Sequence, residues 1–132
     1  MIYLVRHAAP EGHETRRFIG HLDVPLSAHG EAQARAVARR LAPVPFAAIY
    51  ASDLARTRRT AEIIAAPHAL IPIQVPALRE FAMGEWEGLT AEQIRDRDAA
   101  AFDEWIANVG EFQFPGGENL AQVDARAWPA FE

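Results

Sequence analysis

The stretch Ala47-Ala48-Ile49-Tyr50-Ala51-Ser52-Asp53-Leu54-Ala55-Arg56-Thr57-Arg58-Arg59-Thr60-Ala61 changes period halfway along its length. Ala47 to Ala51 is a continuous apolar run of strand length, whereas Leu54, Thr57, Ala61, Ile64 and Ala65 recur at the spacing of one helix face. Ser52 and Asp53 fall between the two, and their short oxygen-bearing side chains predict a helix cap. A strand that hands directly to a helix is half of a crossover unit.

The same unit repeats on both sides. Upstream, Ile2 to Val5 is apolar and rich in β-formers, which predicts a buried strand ending at Arg6-His7. Residues 8 to 26 hold Pro10, Gly12, Gly20, Asp23 and Pro25 without a sustained period, so they read as a loop. Ser27 then predicts an N-cap, and Ala34, Val37, Ala38 and Leu41 a helix face that Pro43 terminates, with Glu31 and Arg35 paired on its outer side. Downstream, Leu70 to Val75 reads as a third, edge-like strand interrupted by Pro72.

Strand, helix, strand, helix, strand is the signature of an α/β fold with a mainly parallel sheet and right-handed crossovers. In such sheets, ligands bind beyond the C-terminal ends of the strands. Thr90 with Gln93 three residues on forms a capping box and predicts a helical region to about Ala107. Pro115-Gly116-Gly117 predicts a turn and Asn119 the start of a last helix, which Pro129 disrupts near apolar Trp128 and Phe131. With neither repeats nor a linker, residues 1–132 are expected to form a single domain.

Composition narrows the partners. Half of the 132 residues are hydrophobic, enough for a substantial core, and the formal net charge is -5. No overall positive field exists to hold nucleic acid or an anionic membrane, so an anionic substrate needs a local pocket of arginines. The absence of cysteine excludes disulfides, zinc-thiolate sites and thiol nucleophiles, and makes a cytoplasmic location the expectation. The apolar run at the start is too short for a signal peptide, and Pro43, Pro45, Pro67, Pro72 and Pro76 break up the later ones.

Arg6 and His7, at the end of the first expected strand, form a guanidinium beside a potential nitrogen nucleophile. By itself the pair is a weak signal, since a histidine at a strand end is commonplace. Its company is more specific. Leu4-Val5-Arg6-His7-Ala8 is followed by the block Gly20-His21-Leu22-Asp23-Val24-Pro25-Leu26-Ser27-Ala28-His29-Gly30-Glu31-Ala32-Gln33-Ala34, then by Ile49 to Ala61, then by Leu78-Arg79-Glu80-Phe81-Ala82-Met83-Gly84-Glu85-Trp86-Glu87-Gly88-Leu89-Thr90 and finally by Pro115-Gly116-Gly117-Glu118-Asn119. In that order these motifs resemble the histidine phosphatase superfamily over essentially the whole chain.

The resemblance implies a three-layer α/β/α, phosphoglycerate mutase-like fold. It makes His7 the nucleophile and Arg6 and Arg56 the phosphate ligands; it also makes Glu80 the group that protonates the leaving alcohol. Arg56 in the first turn of its helix adds to the positive potential of free amides there, whereas Arg58 and Arg59 read as surface charges pairing with neighbours such as Glu62. Arg56 is also expected to lie off the apolar face. Phe81 and Trp86 are expected to desolvate Glu80 and raise its pKa toward neutrality. Glu85 and Glu87 read as solvated loop charges, and Glu118 as a recognition residue.

Two positions depart from the family pattern. Ala8 replaces a usual glycine, which matters only where φ is positive. His13 stands where the family often has an asparagine that touches phosphate, and its ring can donate in that asparagine's place.

A larger departure is that the family's second catalytic histidine, after a late apolar strand, has no counterpart in the 132 residues. His21, His29 and His68 do not match its motif. The sequence therefore reads as C-terminally truncated relative to the family.

The expected reaction is phosphomonoester hydrolysis through phosphohistidine on His7, with a small phosphorylated metabolite as substrate and no cofactor or metal. A phosphoglycerate mutase-type phosphotransferase is the alternative, disfavoured because Gly88-Leu89-Thr90-Ala91 lacks the lysine that mutases share. A catalytically incomplete phosphate-binding module or fragment, and a homodimer in which a second copy completes the sheet, are the other readings.

Overall fold

Ser27 Oγ accepts the Gly30 amide at 3.0 Å, and helix α1 (Ala28–Leu41) begins there, as the spacing predicts. In the computed structural model, which describes residues 1–131, the chain forms two compact units. One holds Met1–Glu11 and Asp23–Pro76; the other holds Gly12–Leu22 and the residues from Ala77 onward.

The first unit contains α1, strand β1 (Tyr50–Ala51), helix α2 (Ala55–Ala65) and strand β2 (Ile73–Gln74). β1 and β2 pair in parallel, with Tyr50 opposite Ile73 and Ala51 opposite Gln74, joined by the α2 crossover that the alternating periods predict. This is an α/β fold. Both strands are shorter than the apolar runs that announce them, and Pro72, which has no amide hydrogen, precedes the paired residues of β2.

The core of this unit is the seam of the two helices. Leu26, Ala34 and Ala38 meet Ile63 and Ile64, with Val37, Leu41 and Ile49 packed alongside. Alanines at positions 34 and 38 let the two backbones approach closely, so the packing is made by small side chains against two isoleucines.

The expected buried strand at Ile2–Val5 is not formed: Ile2 is 74% and Leu4 83% exposed, and no described segment pairs with them. An apolar run becomes a strand only where a neighbour satisfies its amides and carbonyls. The Tyr3 ring instead meets Phe46 edge-on, with centroids 5.4 Å apart.

In the second unit, helices α3 (Ala91–Arg97) and α4 (Ala99–Ala107) bring Ile94 and Phe102 into an aromatic core with Trp86, Phe112 and Phe114, and α5 (Leu120–Ala127) is the last helix. Trp86 contacts Phe18, Phe102, Trp105, Phe112 and Phe114, the rings lying 5.1–6.2 Å apart. Truncating such a residue to alanine typically costs about 3–5 kcal/mol.

The capping box at Thr90 and Gln93 is present, and Asn119 with Gln122 forms a second one. The helical region expected through Ala107 is divided at Asp98, whose carboxylate caps α4 by accepting the Ala101 amide at 3.0 Å. The last helix ends at Ala127, just before the Trp128–Phe131 turn that contains Pro129. Among the described residues no helix is long and apolar enough to cross a membrane.

Candidate active site

His7 stands at the end of the amino-terminal segment, and the first unit fixes the backbone just after it from two sides. From α2, Thr60 Oγ1 accepts the Ala8 amide at 3.1 Å and donates to the Arg56 carbonyl at 2.7 Å. From α1, Gln33 accepts the Ala9 amide at 3.0 Å, while the Ser27 amide and hydroxyl both donate to the Ala9 carbonyl, at 3.0 and 3.1 Å. A Cβ on Gly30 would collide with that carbonyl, so helix and loop approach closely only because position 30 has no side chain.

The imidazole orientation follows. Its Nδ1 lies 2.8 Å from the Ala8 carbonyl, which can only accept, so the ring proton resides on Nδ1. The lone pair is then on Nε2, where the Nε–H of Arg56 donates to it over 3.3 Å. This tautomer offers a nucleophilic nitrogen with a fixed guanidinium against it.

Arg56 is 2% exposed, among the most buried large side chains of the protein. It lies off the face of Leu54, Thr57, Ala61, Ile64 and Ala65, as expected, but positions 56, 60 and 63 share a second side of α2, and all three are buried. Its neighbours are surface charges, as read from sequence. Arg59 pairs with Glu31 at 2.9 Å and with Glu62 at 3.4 Å, and Arg58 with Glu62 at 3.8 Å. The contacts with Arg59 and Arg35 hold the Glu31 carboxyl below its usual range.

The cap of α2 differs from expectation as well. The residue before the helix is Leu54, which has no capping side chain; instead Asp23 Oδ1 accepts the Ala55 amide at 2.6 Å. A distant carboxylate therefore caps the helix turn that carries Arg56. Ala8 takes no positive φ and so tolerates its methyl group. Arg6 is exposed, and its guanidinium makes no hydrogen bond among the described residues.

The other two candidates, Glu80 and His13, belong to the second unit. His13 is exposed in a short turn, His13–Thr15, that follows Gly12 at φ 69°. Glu80 is exposed, and its carboxylate accepts the Phe81 amide at 2.9 Å. Phe81 and Trp86, the two rings expected to desolvate it, pack in the aromatic cluster, and Glu80 itself stays exposed.

Glu87 is not a solvated charge: one oxygen accepts the His21 amide at 2.9 Å and the Met83 amide at 3.0 Å. Glu118, expected to serve recognition, accepts the Ala82 amide at 2.8 Å and forms a two-point ion pair with Arg126 at 2.7 and 2.8 Å. The Arg126 guanidinium holds the Glu118 carboxyl below its usual range, against an opposing effect of burial.

Sequence reasoning assigned no role to Asp23, Thr60 or Arg126. Thr60 was within reach of it, since four residues on from Arg56 places both on one helix face. Asp23 and Arg126 act on segments distant in the chain, and no local spacing announces them.

Comparison with known proteins shows the family. The family model described as the histidine phosphatase superfamily, branch 1, matches residues 2–132. A probable phosphoglycerate mutase GpmB of Serratia proteamaculans is 36% identical over 131 residues, 99% of this chain and 61% of that protein. Phosphoserine phosphatase 1 of Hydrogenobacter thermophilus is 35% identical over 122 residues, 92% of this chain and 58% of that protein. A mycobacterial glucosyl-3-phosphoglycerate phosphatase solved with VO3 superposes with a TM-score of 0.86 at 32% identity, covering 96% of this chain and 60% of that one. The chain thus spans about three fifths of the length of these relatives. With a family model matching residues 2–132, the chain belongs to the histidine phosphatase superfamily.

Proposed function

We propose that the protein to which this chain belongs hydrolyses phosphate monoesters of a small metabolite through a phosphohistidine on His7. The observation that carries the reading is the His7 ring itself, with its proton on Nδ1 and its Nε2 lone pair beside the buried Arg56. In the first step the Nε2 lone pair forms a bond to phosphorus as the bond from phosphorus to the ester oxygen breaks. The departing oxygen takes a proton from Glu80 and leaves as the alcohol. In the second step water attacks phosphorus, its proton goes to the Glu80 carboxylate, and the nitrogen–phosphorus bond breaks to return the lone pair to His7.

Arg56, and Arg6 with it, supply positive charge for the oxygens of the transferring group, where developing negative charge is worth most to stabilise. The relatives support both a hydrolase and a transferase: the Hydrogenobacter relative is named a phosphatase and the Serratia relative a probable mutase. The two differ only in the second acceptor, water or another alcohol, and the absence of a lysine at residues 88–91 favours water.

The experiment is release of p-nitrophenol from p-nitrophenyl phosphate, with base-quenched protein assayed for acid-labile, base-stable phosphate. Turnover and a trapped phosphoenzyme that His7→Ala abolishes support the reading. Turnover that survives His7→Ala sinks it, and phosphate delivered to a second alcohol in place of water moves the reading to the mutase.

A further inference from the structure

The segment that carries Glu80 has no regular hydrogen-bonded structure of its own: residues 79–83 are neither helix nor strand. Several of its backbone groups are nonetheless engaged by side chains far along the chain. Arg126, on α5, donates from Nη1 to the carbonyls of Ala77 at 2.6 Å and Arg79 at 2.9 Å, and from Nη2 to the carbonyl of Glu80 at 2.8 Å. Its two remaining N–H groups go to Glu118, from Nε at 2.7 Å and from Nη2 at 2.8 Å.

A guanidinium has five N–H donors, and here each has its own acceptor. Glu118 continues the bracing, because its carboxylate takes the Ala82 amide at 2.8 Å and its amide donates to the Ala82 carbonyl at 2.7 Å. His21 Nε2, which must donate to a carbonyl, adds a second bond to the Glu80 carbonyl at 2.7 Å. Both lone pairs of that oxygen are therefore engaged, by groups 46 and 59 residues away in the chain.

We infer that Arg126, braced by Glu118, is the positioning residue for Glu80, replacing a strand ladder for the segment that carries it. The inference rests on Glu80 being the proton donor. The carboxyl itself is exposed and accepts the amide of the next residue, so its place follows the backbone beneath it. Lysine keeps the charge of Arg126 but has three donors on a point centre, and cannot reproduce a planar five-bond array. A purely electrostatic role therefore survives Arg126→Lys, and a positioning role does not.

Two readouts on the full chain test this. The first is amide hydrogen exchange in Arg126→Lys and Glu118→Gln, read without any need for turnover. Faster exchange confined to Ala82 and Glu118 is expected; exchange unchanged there, or raised equally through α3, α4 and α5, overturns the clamp.

The second is the ratio of kcat/KM for an alkyl phosphate to that for p-nitrophenyl phosphate, whose leaving group departs without a proton. General acid assistance is worth about 100-fold or more, so Glu80→Gln is expected to depress the ratio by about that factor and Arg126→Lys by about tenfold. Equal loss on both esters in Arg126→Lys overturns the positioning role. A Glu80→Gln variant that leaves the ratio unchanged removes Glu80 as the proton donor, and with it the catalytic half of the inference. The exchange result alone then decides whether Arg126 orders the segment.

Discussion

Nε of Arg56 donates to Nε2 of His7 over 3.3 Å, so the nitrogen with the lone pair and the most buried guanidinium of the chain share one point in space. The arginine lies in the first turn of α2, the histidine at the end of the amino-terminal segment, and Thr60 ties the two backbones together.

Replacing Arg56 with lysine keeps the charge but loses the fork that meets His7 and can grip two phosphate oxygens at once. Removal of one preorganised donor of this kind costs about 100-fold or more in kcat. Initial rates on p-nitrophenyl phosphate, alongside a folded spectrum by circular dichroism, check the effect; a variant within about threefold of the parent contradicts the role given to Arg56.

Asp23→Ala removes the carboxylate that caps α2, and the loss is expected at about 1 kcal/mol, with Asp23→Asn retaining most of it. Urea unfolding of the two variants measures this. Leu54, the residue at the N-cap position, has no oxygen with which to compensate.

Gly30→Ala sets two effects against each other. Alanine in a helix gains about 1 kcal/mol over glycine from propensity. The added methyl group meets the backbone of Ala9, which is fixed by three hydrogen bonds and cannot rotate aside as a side chain could. Overpacking of this kind costs about 1–3 kcal/mol, so net destabilisation is expected, together with reduced activity through displacement of the His7 loop. Stabilisation by the substitution contradicts the close approach.

Glu118 gives a pH dependence with a defined sign. Its carboxyl is held below the ordinary glutamate pKa of about 4.3 by Arg126, so the folded state binds its proton less readily than the unfolded state does. The stability it contributes is fully present above about pH 4.3 and is lost as pH falls through the lowered folded value. Thermal unfolding followed from pH 7 down to pH 3 is expected to show this loss, with a shallower fall in Glu118→Gln.

The sequence by itself determined what is local or periodic. Ser27 and the 34, 37, 38, 41 face specify α1, and Thr90 and Asn119 start their helices as read. The change of period at residues 47–61 marks a strand passing to a crossover helix, which a parallel β1–β2 pair completes. The motif order marked His7 and Arg56 for one site, and the structure sets Arg56 Nε 3.3 Å from His7 Nε2.

Tertiary structure decided whatever depends on partners far along the chain. Ile2–Val5 has the composition of a strand but no ladder, because strand formation requires a neighbour that an isolated pattern cannot supply. Arg56 is marked by its motif, but its burial beside Thr60 appears only once α2 has packed. Asp23 caps a helix 32 residues away, and Arg126 serves a segment 46 to 49 residues away. Hydrogen bonds of that reach satisfy backbone groups wherever folding brings them, so they leave no period in the sequence, only residues whose purpose appears once the chain has closed around them.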